Sequence, residues 1–423
     1  MPLEMAVFWE RIRYLFAKAR RAWSDGTLGE KTRRFLIASV RIPCEVTLAY
    51  LTLSRPDRRL DLASGFVDHR ARPGHRRSKP EHVGRIIAAY HASKQAQQIA
   101  DPAFQIRGVW AEWIDVNSRE LIAALNEADE ARLAALFENL HREPFTAGAG
   151  RGYDDYLRYR TSLTGRFYFR SVWCQYRDLY RELGGQLDDL RYPLVGNPAG
   201  MPFNGDVIQI NTIRHAYHAL EMQQWLRDVA DAIVVEIGGG IGGQAHQLMQ
   251  RADAHISKYV IFDIPEVASA CSYFLLSAFP DKRIRLFGEG PVSVDASEGY
   301  DLAVFPHFEI RHLADNSVDL FHNACSFSEM DGAAAAAYLR VIERACRRYF
   351  SHINHDIRFT YRNSDGSTST NLLGSEVVPD PSRFRRLYKK PRVFCLPEDR
   401  FFPAYEYLYE RLAGAPDGEV YAT

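Results

Sequence analysis

One stretch limits this chain to very few folds. It runs from Ala232 to Pro265 and reads AIVVEIGGGIGGQAHQLMQRADAHISKYVIFDIP. Four apolar residues, Ala232 to Val235, lead into Glu236, then into a run of glycines, a helical segment and a second apolar run ending on Asp263. Strand, loop, helix and strand in that order form a unit that packs helices against a parallel sheet.

The chemistry of the unit follows from its geometry. Gly238, Gly240 and Gly242 remove Cβ atoms at a sharp strand-to-helix turn, so a ligand can approach the backbone and meet the amides of the next helix. Each glycine costs about 0.5–1 kcal/mol in backbone entropy, so a G-G-G-I-G-G run implies a required conformation. Asp263 lies about twenty residues beyond the glycines, at the carboxyl end of the next strand, where a carboxylate accepts both hydroxyl protons of a ribose. The ligand this describes carries a nucleoside. Two classes fit. Gly238, Gly240 and Gly243 satisfy the dinucleotide pattern G-x-G-x-x-G, whereas Glu236, Gly238, Gly240 and Gly242 satisfy the E/D-x-G-x-G-x-G pattern of S-adenosylmethionine sites. An acid at the end of the first strand suits the second class better, because it attracts a methionyl ammonium and repels a pyrophosphate.

A chain of 423 residues has room for two or three domains, and 46% hydrophobic with 25% charged residues is ordinary for a globular protein. Basic and acidic side chains number 53 each, so no global field draws the chain to nucleic acid or an anionic membrane. Cys44, Cys174, Cys271, Cys325, Cys346 and Cys395 form no C-x-x-C pair, which reads as reduced thiols in a cytoplasm, with no zinc site. The longest apolar tract, 35–53, contains Arg41, Pro43 and Glu45 and does not read as a membrane span; residues 1–24 read as an amphipathic helix packed on the protein's own core.

Helical periodicity dominates the first 140 residues, broken at 55–80 by a charged loop that includes RARPGHRRSKP. An aromatic and arginine-rich segment follows, and the turn residues of YPLVGNPAGMPF (192–203) mark a boundary. The expectation is a mainly helical domain over 1–195, serving substrate binding or oligomerisation, and a Rossmann-like α/β domain over 196–423 with helices on both faces of its sheet. Asn211 or Thr212 is expected to cap a helix to about Val229 that carries Arg214, His215, Tyr217 and His218. Pro265 starts the next helix. Of the short apolar runs 283–287 and 300–305, one is expected to supply the third strand. Residues 318–322 form a strand with Asn323 to Glu329 at its carboxyl end, and a strand over 349–354 sets His352, His355 and Asp356 at the same edge, where open α/β sheets bind ligands. Strands near 392–396 and 403–409 are expected to pair as an antiparallel finish.

With these residues in view, the C-terminal half resembles a class I S-adenosylmethionine-dependent methyltransferase, and more narrowly the bacterial sugar O-methyltransferase family. GNPAG (196–200), RHAY (214–217), VVEIGGGIGG (234–243), FDIPEV (262–267), DNSVDLFHNACSFSEMD (315–331) and HINHD (352–356) carry the resemblance over about 160 residues. The resemblance implies that Glu236, Gly238, Gly240 and Gly242 hold the methionine portion, Asp263 the ribose, and Asn323 the neighbourhood of the sulfonium. It implies a small-molecule or glycan acceptor in polysaccharide or glycosylated-metabolite biosynthesis, with no nucleic acid, no membrane span, and self-association left open. The acidic set of the magnesium-dependent enzymes is missing: Asp356 matches one ligand, but Asn323 and Ala324 stand where a second carboxylate belongs, so no metal is expected. A sugar hydroxyl needs a base, and His355, oriented by Asp356 or Glu329, is the first candidate, with His215 the second. His322 and His246 read as packed, structural imidazoles. An NAD-dependent nucleotide-sugar enzyme and a non-catalytic methyltransferase-like binding protein are the competing readings.

Overall fold

The computed structural model describes residues 63–107, 109–146, 153, 157, 173–174, 176–203, 206–295, 297–362, 368–393 and 403–413. The expected helix over 1–24, the apolar tract 35–53 and most of the aromatic and arginine-rich segment lie outside the described residues.

In chain order the elements begin with four helices, α1 (Pro80–Gln97), α2 (Val109–Asn117), α3 (Arg119–Asn126) and α4 (Glu130–Glu138). A small hairpin of β1 (Met201–Phe203) and β2 (Asp206–Ile208) leads into α5 (Ile210–Leu226). The organising stretch then folds as β3 (Ala232–Ile237), α6 (Gly243–Met249) and β4 (Ile256–Asp263), followed by α7 (Pro265–Ala278). Next come β5 (Ile284–Leu286), β6 (Leu302–Pro306), β7 (Val318–Ala324), α8 (Gly332–Ala345) and β8 (Cys346–His355). A hairpin of β9 (Thr360–Arg362) and β10 (Thr368–Thr370) precedes the final pair, β11 (Phe384–Pro391) and β12 (Ala404–Arg411).

Eight strands form one sheet in the order β11-β12-β8-β7-β3-β4-β6-β5. Strand β12 is antiparallel to both its neighbours, and the pairs from β8 to β5 are all parallel. The chain works outward from β3 through β4, then returns to the other side of β3 with β7. That reversal opens a crevice at the carboxyl ends of β3 and β7. The fold is therefore α/β and Rossmann-like.

Both short apolar runs, not one, enter the sheet: β6 inserts between β4 and β5, with Ile284 opposite Leu302 and Leu286 opposite Val304. Residues 394–396 of the expected strand near 392–396 lie outside the described residues, and the antiparallel finish pairs β12 with β11, the basic segment FRRLYKKP. It is an edge strand, and outward-pointing Arg and Lys on an edge discourage pairing with another chain. Helix α5 starts at Ile210 with Gln209 as N-cap and no side-chain cap, so neither Asn211 nor Thr212 plays that part. Helices α7 and α8 start as their sequences suggest, the first with Pro265 in its opening turn and the second with Asp331 accepting from the Ala334 amide at 2.8 Å.

Two apolar clusters fill the two faces. On one, Val83 and Ile86 of α1, Leu121 of α3 and Phe137 of α4 share a core with Tyr259, Ile261, Tyr273 and Phe274. On the other, Val341 and Ile342 of α8 pack on Val235, Phe262, Phe305, Phe321 and Phe350. Phe137 stacks on Tyr273 with centroids 4.8 Å apart, and each such fully buried ring contributes about 1.5–3 kcal/mol relative to exposure. The GNPAG loop packs on the helical lead. Asn197, 1% exposed, accepts from the His69 amide at 2.9 Å and donates to Asn139 at 2.9 Å, joining the helical lead to the hairpin. No helix among the described residues is long and apolar enough to cross a membrane, and Cys174, Cys271, Cys325 and Cys346 are free thiols.

Candidate functional site at the carboxyl edge of the sheet

The loop after β3 has the conformation its glycines permit. Gly238, Gly240 and Gly242 sit at φ +73°, +56° and +81°, a region that other residues enter only with strain. Close approach adds to the demand. A Cβ on Gly238 would lie 2.5 Å from Ser326 Oγ, and one on Gly243 would lie 2.5 Å from the His215 ring. The loop is thus held between the turn after β7 and the first turns of α5.

Glu236 and Asp263 flank it. Glu236 is 2% exposed, and its Oε2 accepts from the Tyr259 hydroxyl at 2.8 Å. Burial pushes its carboxyl up to about 8; the Tyr259 bond opposes the shift and the Asp263 charge adds to it. Asp263 accepts from the Gly240 amide at 2.9 Å and from the Ile264 amide at 2.8 Å. Burial raises it to about 7 against these two amide bonds. The carboxylate expected to meet a ribose is therefore also the strut of the glycine loop, with a second lone pair left on each oxygen.

Asn323 is a hub. Its Nδ2 donates to the Ile237 carbonyl at 2.8 Å and to Ser326 Oγ, and its Oδ1 accepts from Asn354 at 2.9 Å. Wholly buried, it ties the ends of β3, β7 and β8 together beneath the crevice. Asn354 in turn accepts from the Ser328 amide at 3.0 Å, which fixes the turn after β7.

His355 ends β8. Its ring packs edge-on against Phe359 at 5.6 Å, and its Nδ1 is buried with no hydrogen-bond partner. Burial and then the Arg392 charge hold its pKa below the usual imidazole value. The expected orienting groups are engaged elsewhere. Asp356 accepts from the Ser375 amide at 2.7 Å and faces Lys389 at 3.7 Å, while Glu329 accepts from Trp110 of α2 and is pushed up to about 8 by burial. Both bonds depend on segments far away in sequence, which motif spacing does not reveal. His215 lies against Gly243, and burial followed by the Arg214 charge keeps it well below its ordinary pKa. His246 packs among Tyr192, Phe274 and Phe279, a structural part as expected. His322 points inward, also as expected, yet both its ring nitrogens are buried without partners.

Tyr259, Ser326, Asn354 and Trp110 escaped the sequence reading. Tyr259 carried a signal: it stands two residues before Ile261, the register partner of Glu236, and so shares the face of that acid.

No protein-family model matches the chain, and no curated protein matches it. Solved structures that it resembles include an S-adenosylmethionine-dependent methyltransferase from Mesorhizobium loti, at 10% identity, 45% of this chain and 96% of that one, with TM-score 0.28. Another is the magnesium protoporphyrin IX methyltransferase of Synechocystis with bound S-adenosylhomocysteine, at 12% identity, 56% and 94% coverage and TM-score 0.31. A third is the 1,6-didemethyltoxoflavin-N1-methyltransferase of Burkholderia thailandensis, at 13% identity, 47% and 77% coverage and TM-score 0.30. Likeness at these TM-scores carries no argument about chemistry, which has to be read from the residues.

Proposed function

We propose that the protein is an S-adenosylmethionine-dependent O-methyltransferase whose acceptor is a sugar hydroxyl. One observation carries the first part: three left-handed glycines at the crevice, with Asp263 bonded to the amide of the middle one and Glu236 behind them. Two carboxyl groups around one glycine loop suit a ligand with ribose hydroxyls and an ammonium, and disfavour a pyrophosphate. The sugar acceptor rests on the resemblance of the GNPAG, RHAY and HINHD segments.

The donor, when bound, supplies an electrophilic methyl group. Everything else falls to the chain. Asp263 keeps its amide bonds and receives hydroxyl protons on its remaining lone pairs. Glu236 favours a cationic group beyond the loop and is drawn toward its ionised form by it. His355 takes the acceptor's proton, a service that typically contributes about 10²–10⁴-fold. Its unpartnered nitrogen fits that role, because an imidazole held neutral by burial can accept.

Parallel calorimetric titration with S-adenosylhomocysteine and NAD tests the donor site. Binding of the first alone is expected; binding of NAD alone would replace this reading with a dinucleotide enzyme. Transfer of labelled methyl to a panel of free, nucleotide-linked and polymeric sugars then tests the acceptor.

A further inference from the structure

Beside the crevice, on the face of the sheet covered by α5, three side chains converge that the methyl-transfer reading does not use. His218 and Glu221 stand one turn apart on α5, and Glu406 projects from β12. His218 Nδ1 is 3.1 Å from Glu221 Oε2, and its Nε2 is 3.8 Å from Glu406 Oε1. Both ring nitrogens therefore face carboxylates. A neutral imidazole has one N–H and one lone pair, so it can satisfy only one of them. With Nδ1–H donating to Glu221, the lone pair on Nε2 points toward a buried carboxylate, and Nε2 has no hydrogen-bond partner. Two carboxylates around one neutral imidazole carry two negative charges, more than a single ammonium offsets.

We propose that His218, Glu221 and Glu406 form a binding site for a divalent transition cation of the zinc class. One donor atom from each residue lies within 4.8 Å of the other two. An ion held at about 2.0–2.2 Å requires donors roughly 3.3–3.6 Å apart, a contraction that side-chain torsions can supply. One imidazole with two carboxylates is a mixed nitrogen and oxygen set, which suits zinc better than magnesium.

His322 on β7, whose ring is 6.3 Å from that of His218, also has both nitrogens buried without partners.

Lys390 now occupies the carboxylates. Its ammonium bonds to Glu221 Oε1 and to the Tyr217 hydroxyl at 2.8 Å, and lies 3.2 Å from Glu406 Oε2. The lysine side chain is 31% exposed, against 3% for Glu406 and 4% for His218, so it alone can swing out to water. Lys390 is the stand-in that a dication displaces, and it keeps the two buried acids neutralised until then.

The test is titration of chelator-treated, tag-free full-length protein with Zn²⁺ against a chromophoric competitor. One Zn²⁺ per chain is expected, with binding weakened at least about 10-fold in Glu406→Gln and His218→Gln. Lys390→Met, a change at a partly exposed edge position, is expected to bind more tightly, because the competing ammonium is gone; if the two core variants unfold, it decides alone. Absence of stoichiometric binding in both the wild type and Lys390→Met overturns the site. So does an affinity that none of the three substitutions alters. Nitrogen-15 spectra provide a last check: in the presence of Zn²⁺, one ring nitrogen of His218 must carry no proton and shift on binding, and a doubly protonated ring bridging Glu221 and Glu406 would overturn the proposal.

Discussion

Two regions at the same edge of the sheet are built on opposite terms. Around the glycine loop, Asp263 accepts two amides, Glu236 accepts from Tyr259 and Asn323 joins three strand ends. Across the crevice, along α5, β7 and β8, His218, His322 and His355 all hold ring nitrogens that are buried and unpartnered. An unsatisfied buried polar group costs about 1–3 kcal/mol, so the second region keeps a tension that the first has discharged. The difference separates holding from reacting. A binding frame gains by being finished before its ligand arrives, whereas groups that move protons or bind ions must keep a lone pair available.

The contrast can be broken most severely at His355. Replacement by Ala is expected to lower kcat by about 10²–10⁴-fold, with S-adenosylhomocysteine affinity unchanged by calorimetry. Unchanged turnover would move the role away from His355, and the same assay on His215→Ala would then show whether the imidazole against the glycine loop carries it. Next in size is Asp263→Ala, on the finished side, where two charge-assisted bonds of about 1.5–3 kcal/mol each are at stake. Donor affinity should fall on the order of 100-fold or more, and an affinity within a factor of two of wild type would detach Asp263 from the ligand.

Gly238→Ala probes the frame without touching a charge. A left-handed non-glycine residue costs about 1–2 kcal/mol, and the added methyl would lie 2.5 Å from Ser326 Oγ. A lower Tm is expected, partly restored by adding Ser326→Gly; a Tm equal to wild type would show that the loop does not need its dihedrals. The smallest effect is a pH slope. Glu236 and Asp263 have folded-state values raised to about 8 and about 7, above the ordinary carboxyl range of the unfolded chain. At these two carboxyl groups the folded state binds more protons than the unfolded state between those limits, so their contribution to stability falls as pH rises through that window. The slope is at most about 1.4 kcal/mol per pH unit for each group. Buried histidines such as His322 and His352, lowered to about 3, act in the opposite sense up to about pH 7. Denaturant melts at about pH 7.5, 8 and 8.5 would therefore read it, and a protein that grows more stable across that range would refute the raised values.

The finished side was far more legible in the sequence than the other. Glycines that need positive φ and an acid at the end of the following strand are local demands, written within about thirty residues. Strands β3, β4 and β7 announced themselves as apolar runs between turn residues. The partners of Asp356 and Glu329 did not, because Ser375, Lys389 and Trp110 reach them only through tertiary packing. Strand β11 was hidden by its own solution to the edge problem, since charges that protect an edge mask the apolar alternation of a strand. Strand β6 was uncertain for another reason: a five-residue apolar run shows that it is buried but not which neighbours it pairs with. The facing of His218 toward Glu406 needed β12 placed beside β8, a pairing of distant segments.

The stacking of Phe137 on Tyr273, described with the core, bears on how freely such a chain can be recombined. The helical lead and the α/β part share one oily seam through α4 and α7, so neither can be exchanged for a foreign counterpart without baring aromatic rings. The two parts must then change together, one side chain at a time along that seam, and not by shuffling whole modules.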